Sequence, residues 1–102
     1  MHSHVTVGFV LLAGQLGLSE LVAKFLDRVG SGPWADIAGL VHAGELSEAA
    51  RRLDETGYLG LAARARLRSQ DDGELVKAID FFASVGATRY LSLAEAQLAA
   101  MA

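Results

Sequence analysis

Six of the eleven glycines in this 102-residue chain fall into three pairs of one spacing: Gly17 and Gly30, Gly44 and Gly57, and Gly73 and Gly86 each stand thirteen residues apart. The pairs recur at offsets of 27 and 29 residues. The second and third frames share more than their ends, since Gly44-Glu45-Leu46-Ser47-Glu48-Ala49 matches Gly73-Glu74-Leu75-Val76-Lys77-Ala78 at Gly, Glu, Leu and Ala. A large apolar residue (Leu26, Leu53 or Phe82) follows each opening glycine by nine positions, and Val29, Thr56 or Val85 follows it by twelve. Such periodicity marks a stacked array, because one repeat cannot bury its own apolar face.

Glycine tolerates the left-handed backbone that commonly ends a helix, so the opening glycine is expected to stop one helix and the closing glycine the next. The twelve residues between stops make about three helical turns. Inside the frames the apolar residues keep helical spacing, as in Leu21, Val22, Phe25, Leu26 and Val29, or Leu75, Ala78, Ile79, Phe82 and Val85. Glu20/Lys24 and Glu48/Arg52 lie four apart on the polar side, where pairing in solvent contributes a few tenths of a kcal/mol. Ala (18) and Leu (16) supply a third of the chain against 13 Val, Ile and Thr together, a balance that favours helix over sheet.

The segments ahead of the frames supply the partner helices. Gly32 is the expected N-cap of a helix beginning at Pro33 and running to about Ala43, since proline suits the first helical turn. The next partner runs from Tyr58 to about Ser69 with Leu61, Ala62 and Ala65 on one face, and Asp71 with Glu74 resembles a capping box. Residues 5–15 carry both a strand-like Val5-Thr6-Val7 and helix-weakening Gly8 and Gly14; helix is preferred because two clearer units follow. Thr88 caps a closing helix from Arg89 to Met101, with Tyr90, Leu91, Ala94, Leu98 and Met101 on one stripe. The expected fold is all-α: a tetratricopeptide-like array of three antiparallel pairs (about 5–30, 33–57 and 58–86) and a closing helix (88–101) in one domain.

A single core is what a chain of this length can build. Its net charge of −3, with 9 basic and 12 acidic residues dispersed, leaves no global footprint for nucleic acid or an anionic membrane. The most apolar stretch, Val5 to Leu18, is shorter than the roughly 20 residues of a membrane span. Only Met1, His2, Ser3 and His4 precede it, without the basic residues of a secretory signal, so a cytoplasmic location is expected. No cysteine is present, which excludes disulfides and thiolate chemistry.

The run Ala78-Ile79-Asp80-Phe81-Phe82-Ala83-Ser84-Val85-Gly86-Ala87-Thr88-Arg89-Tyr90-Leu91, with Ala94-Glu95-Ala96 after it, resembles the C-terminal end of tetratricopeptide-like regions in large bacterial signalling proteins. The likeness extends back to Pro33-Trp34-Ala35 and the Gly44 frame, with a shorter link between Ala65-Arg66-Leu67-Arg68 and Gly73. Those proteins join the helical region to an AAA-type or STAND-type ATPase, often with a class III adenylate/guanylate cyclase or a LuxR-type regulator. The resemblance implies a scaffold of that kind and carries over no catalytic residue. The frame spacing also falls below the about 34 residues of standard tetratricopeptide repeats.

No Gly-x-x-x-x-Gly-Lys-Ser/Thr phosphate loop occurs, and no Ser has a His and a carboxylate at suggestive positions, so the expectation is a protein that is not an enzyme and holds no metal or cofactor. His2 and His4 lack a nearby carboxylate, and His42 sits near a helix end where its charge suits the dipole. Arg51, Arg52, Arg64, Arg66 and Arg68 form the one local basic bias, set against Asp54 and Glu55. Arg64 and Arg68 share a helix face, and together they are candidates for a groove that receives an acidic peptide; Arg66 points elsewhere. Trp34, the sole tryptophan, is a candidate partner contact and a stronger candidate for packing between repeats.

The expected function is therefore protein–protein interaction or scaffolding, presented by the first helix of each pair, with an apolar small-molecule pocket between helices as the alternative. The partner is a peptide segment, another domain of a parent protein, or a second copy. Val5, Val7, Phe9, Val10, Leu11, Leu12 and Leu16 are too many apolar residues for one helix face, so residues 5 to 18 need further cover or self-associate.

Overall fold

A computed structural model describes residues 4–101, and among these it contains seven helices and no strand. They are α1 (His4–Gln15), α2 (Ser19–Val29), α3 (Pro33–His42), α4 (Leu46–Glu55), α5 (Leu59–Arg68), α6 (Asp72–Val85) and α7 (Thr88–Met101). Residues 5–15 are helical, and the strand-like Val5-Thr6-Val7 is overridden because Thr6, Val7, Val10, Leu11 and Ala13 bury one broad face of α1.

Four helix ends share one geometry. At Gly17, Gly44, Gly57 and Gly86 the glycine has φ between 72° and 85°. Its N–H donates to the carbonyl three residues back, and the following N–H donates to the carbonyl five residues back, as in Gly44 to Val41 (3.1 Å) and Glu45 to Leu40 (2.9 Å). This is the Schellman arrangement, which satisfies carbonyls that the helix leaves open.

The third opening glycine does not follow the rule. Gly73 lies inside the first turn of α6, and α5 ends instead at Ser69, which is extended (ψ 151°) and whose hydroxyl donates to the Arg66 carbonyl at 2.8 Å. The reason is the cap at Asp71, whose Oδ1 accepts from the Glu74 N–H at 3.1 Å. A Cβ at position 73 would sit 3.1 Å from that same oxygen, so the glycine makes room for the cap. Only half of the expected capping box forms, because the Glu74 carboxylate turns away to Arg66 and Lys77. Thr88 is likewise the first residue of α7 rather than its cap.

The chain packs as consecutive neighbours, α1 on α2 through α6 on α7, with two further contacts: α1 lies along α3 and also reaches α5. That last contact joins the first and third pairs, which a linear solenoid, touching only neighbouring repeats, does not make. Two cores result. The larger takes Val7, Val10, Leu11, Val22, Ile37, Val41, Leu53, Ala62 and Ala65 from α1 to α5; the smaller takes Ala63, Ala78, Phe82 and Ala94 from α5, α6 and α7. Helix α5 is sandwiched between α4 and α6, and its buried residues Ala62, Ala63 and Ala65 keep it narrow on both sides. Leu21, Val85, Tyr90 and Met101, expected on inward stripes, remain exposed at the edges of their helices.

Ion pairs brace α4 internally and tie α5 to both α4 and α6. Glu48 accepts from Arg51 (2.6 Å) and Arg52 (3.2 Å), and Arg51 also meets Glu55; the hydrogen bonds from Arg51 and then Arg52 pull the Glu48 carboxyl down to about 2. Glu20 and Lys24 make no pair. Arg66 is different in kind: 12% exposed, it spans from α5 to Asp54 on α4 (2.6 Å) and Glu74 on α6 (2.8 Å). Burial works against its charge, and the hydrogen bonds to Asp54 and Glu74 more than offset this, raising the guanidinium above its usual range.

Candidate functional site

The helix ends sort the candidate residues into two places. At one end of the molecule the starts of α1, α3 and α5 come together in an aromatic cluster. His4 stacks on Tyr58 (4.8 Å between ring centres), and Trp34 meets Tyr58 edge-on at 5.0 Å and His4 at 6.3 Å. Edge-on and offset pairs of this kind add stability beyond their buried area. Trp34 is thus a half-buried packing residue between the starts of α1, α3 and α5. His4 is engaged with Tyr58, while His2 lies outside the described residues. His42 closes α3 with its side chain exposed.

At the other end, about ten residues and hence about 15 Å along α1, Arg64 and Arg68 line a cleft of about 1020 Å³ between α1, α5 and α7. Its walls are Leu11, Leu12 and Gln15 from α1, Arg64, Leu67 and Arg68 from α5, Gln70 from the link after α5, and Arg89, Tyr90, Leu93, Gln97, Ala100 and Met101 from α7. Trp34 takes no part, so the three sequence candidates do not form one site. Arg51, Arg52 and Arg66 are likewise absent, being engaged by carboxylates.

Arg64 and Arg68 play unequal roles. The Arg68 Nη1 donates to the Leu11 carbonyl at 3.2 Å, bracing the C-terminal end of α1, where a cation suits the helix dipole. Gly14 permits this, since a Cβ there would lie 3.0 Å from the guanidinium. Arg64 forms no hydrogen bond or ion pair within the described residues, and neither does Arg89. Arg89 was not singled out by the sequence, because it stands alone on α7, more than twenty residues from the α5 arginines; only the packing of α7 brings it to the cleft. Gln97 fixes that packing through its Nε2, which donates to the Ser69 carbonyl at 3.2 Å.

The electrostatic character of the cleft is opposite to that of the molecule. Three of the nine basic residues line it and none of the twelve acidic ones does, on a chain of net charge −3. Leu12, Leu93, Tyr90 and Met101 remain substantially exposed beside the guanidinium groups. The arrangement is suited to an anionic group with an apolar body. Among the described residues no three His, Asp or Glu side chains converge on a point that would hold a metal ion, and no helix is long and apolar enough to cross a membrane. The chain matches no family model, curated protein or solved structure.

Proposed function

We propose that the chain is a non-catalytic protein-interaction module, a tetratricopeptide-like array whose helices α1, α5 and α7 present the arginine-lined cleft to an acidic amphipathic segment of a partner. The observation that carries this reading is the pair of guanidinium groups, Arg64 and Arg89, which have no hydrogen-bond or ion-pair partner among the described residues and stand beside exposed Leu12, Leu93 and Met101, with no Asp or Glu among the lining residues. A helix lying in the cleft sets its apolar face against these three side chains and its carboxylates against the arginines, the helix-in-groove mode of recognition. Arg68 holds α1 in place and contributes positive potential rather than a free donor.

Within a larger protein, such a module fits a multidomain cytoplasmic signalling ATPase or regulator, a reading that rests on the resemblance of residues 78 to 96 to the ends of such helical regions. The second reading, sensing of an anionic small molecule, draws on the size of the cleft, which stands at the top of the about 300–1,000 Å³ of small-molecule sites. The cleft favours a peptide because it lies open along exposed side chains, whereas such sites enclose most of their ligand.

Fluorescence anisotropy tests the reading with a labelled amphipathic helical peptide carrying Leu on one face and Glu on the other. Expected are micromolar binding that weakens with salt and an affinity loss of about tenfold or more in Arg64→Glu/Arg89→Glu, about 1.4 kcal/mol. Equal binding of a peptide with Lys in place of Glu, or an affinity untouched by the charge reversal, refutes it. Saturable binding of a fluorescent long-chain fatty acid, with no binding of the peptide, selects the second reading.

A further inference from the structure

The face of α1 that turns away from the core is as apolar as the face inside it. Val5, Phe9, Leu12 and Leu16 follow one another at spacings of four, three and four, the spacing of a helix–helix seam, and lie about half a turn around the helix from buried Val7, Val10 and Leu11. Leu18, just before α2, and Leu21 on it continue the exposure, and the Phe9–Phe25 ring contact at 4.7 Å joins the two helices into one surface. No Asp, Glu, Lys or Arg occurs between Val5 and Ser19.

We infer that this face of the first hairpin pairs with the same face of a second copy of the chain about a twofold axis. Two properties identify the second copy as the occupant. The first is area. The six side chains are between 36% (Phe9) and 66% (Val5) exposed. At roughly 200 Å² for a whole residue of this size, they present about 600 Å² per copy. That already reaches the lower bound of about 1,200 Å² in total for a stable interface, before any rim is counted, and equals the largest apolar patch typical of a monomer. The second is charge. A twofold interface sets one patch against itself, and the seam from Val5 to Leu18, which carries no charged residue, meets no like charge when its counterpart lies on it; Glu20 and Lys24 on α2 fall at its rim. An acidic or basic partner gains nothing from it, in contrast to the arginine cleft, which the α1 seam borders only at Leu12.

The test is the mass of the full chain in solution. Sedimentation equilibrium at about 100 µM, well above a micromolar Kd, is expected to give a dimer that dissociates on dilution. Leu16→Glu/Leu21→Glu, both outside the cleft and both exposed, is expected to raise the dissociation constant at least a hundredfold while far-UV circular dichroism stays unchanged. The milder Leu16→Asn/Leu21→Asn serves if the double glutamate disturbs folding, and is expected to weaken the dimer in the same direction. A monomer at every concentration overturns the inference, as does a dimer that either folded variant leaves intact.

Discussion

Replacing Arg66 by Met removes a guanidinium that is 12% exposed and stands between carboxylates of two other helices, Asp54 on α4 and Glu74 on α6. Breaking a buried pair by removing one partner costs about 3–5 kcal/mol, because a charge is left without compensation. Here the cost is smaller for two reasons. Asp54 is 38% exposed and returns to water, so its share resembles that of a surface pair, at most about 1 kcal/mol. Glu74, 14% exposed, keeps Lys77 at 3.3 Å. With the methionine retaining most of the stem packing, the net loss comes to about 2 kcal/mol, or a fall in Tm of roughly 8–16 °C for a chain of this size. Urea unfolding followed by circular dichroism measures it, with an unchanged m-value showing that stability alone has moved. Arg51→Met is the control, since that guanidinium is 59% exposed and its pairs stay within α4; it is expected to leave the unfolding midpoint unchanged. If the two variants are equally stable, Arg66 does not clamp the three helices together.

Gly39 lies within α3 with open space where a Cβ would project, so Gly39→Ala should stabilise the chain by about 0.5–1 kcal/mol, whereas Gly44→Ala, at φ 83°, should destabilise it by about 1 kcal/mol or more; thermal melts decide both. Glu48, held near 2 by Arg51 and Arg52, has a depressed pKa, so its contribution is present above the unfolded carboxyl range near 4.3 and is lost as pH falls toward 2. The Tm difference between wild type and Glu48→Gln should therefore shrink across that interval. Trp34→Ala should cost about 2–3 kcal/mol, below the range for a fully buried aromatic, and leave the acidic peptide's affinity unchanged; a loss of affinity with stability retained would restore Trp34 to the binding site.

The helices were legible because their signals are local. Gly17, Gly44, Gly57 and Gly86 each act on the turn they occupy, and Pro33 and Asp71 each act on the helix they begin. Gly73 shows where the pattern misleads: it keeps the spacing of the other frames but serves the cap beside it, a difference visible only once the neighbouring Asp71 side chain is placed. The site was half legible. Arg64 and Arg68 fall on one face by helical spacing alone, yet the division of labour between them depends on α1, fifty residues earlier, offering a carbonyl at Leu11 and a gap at Gly14. Arg89 joins them through the packing of α7 over the end of α5, a contact no sequence spacing encodes. The surplus of apolar residues in the first segment was readable as a count, and the structure sorts it into a buried face and an outward seam.

Whether a partner binds in the cleft between α1, α5 and α7 is decided by titrating the ¹⁵N-labelled chain with the Leu/Glu amphipathic peptide and following amide and arginine Nε–Hε signals. Shifts are expected only at residues 11–15, 64–70 and 89–101, with the Arg64 and Arg89 side-chain signals moving in step with the amides and the signals around Trp34 and Tyr58 unmoved. Shifts centred on the aromatic end or on the outer faces of α2 and α4, or none at all, would contradict it.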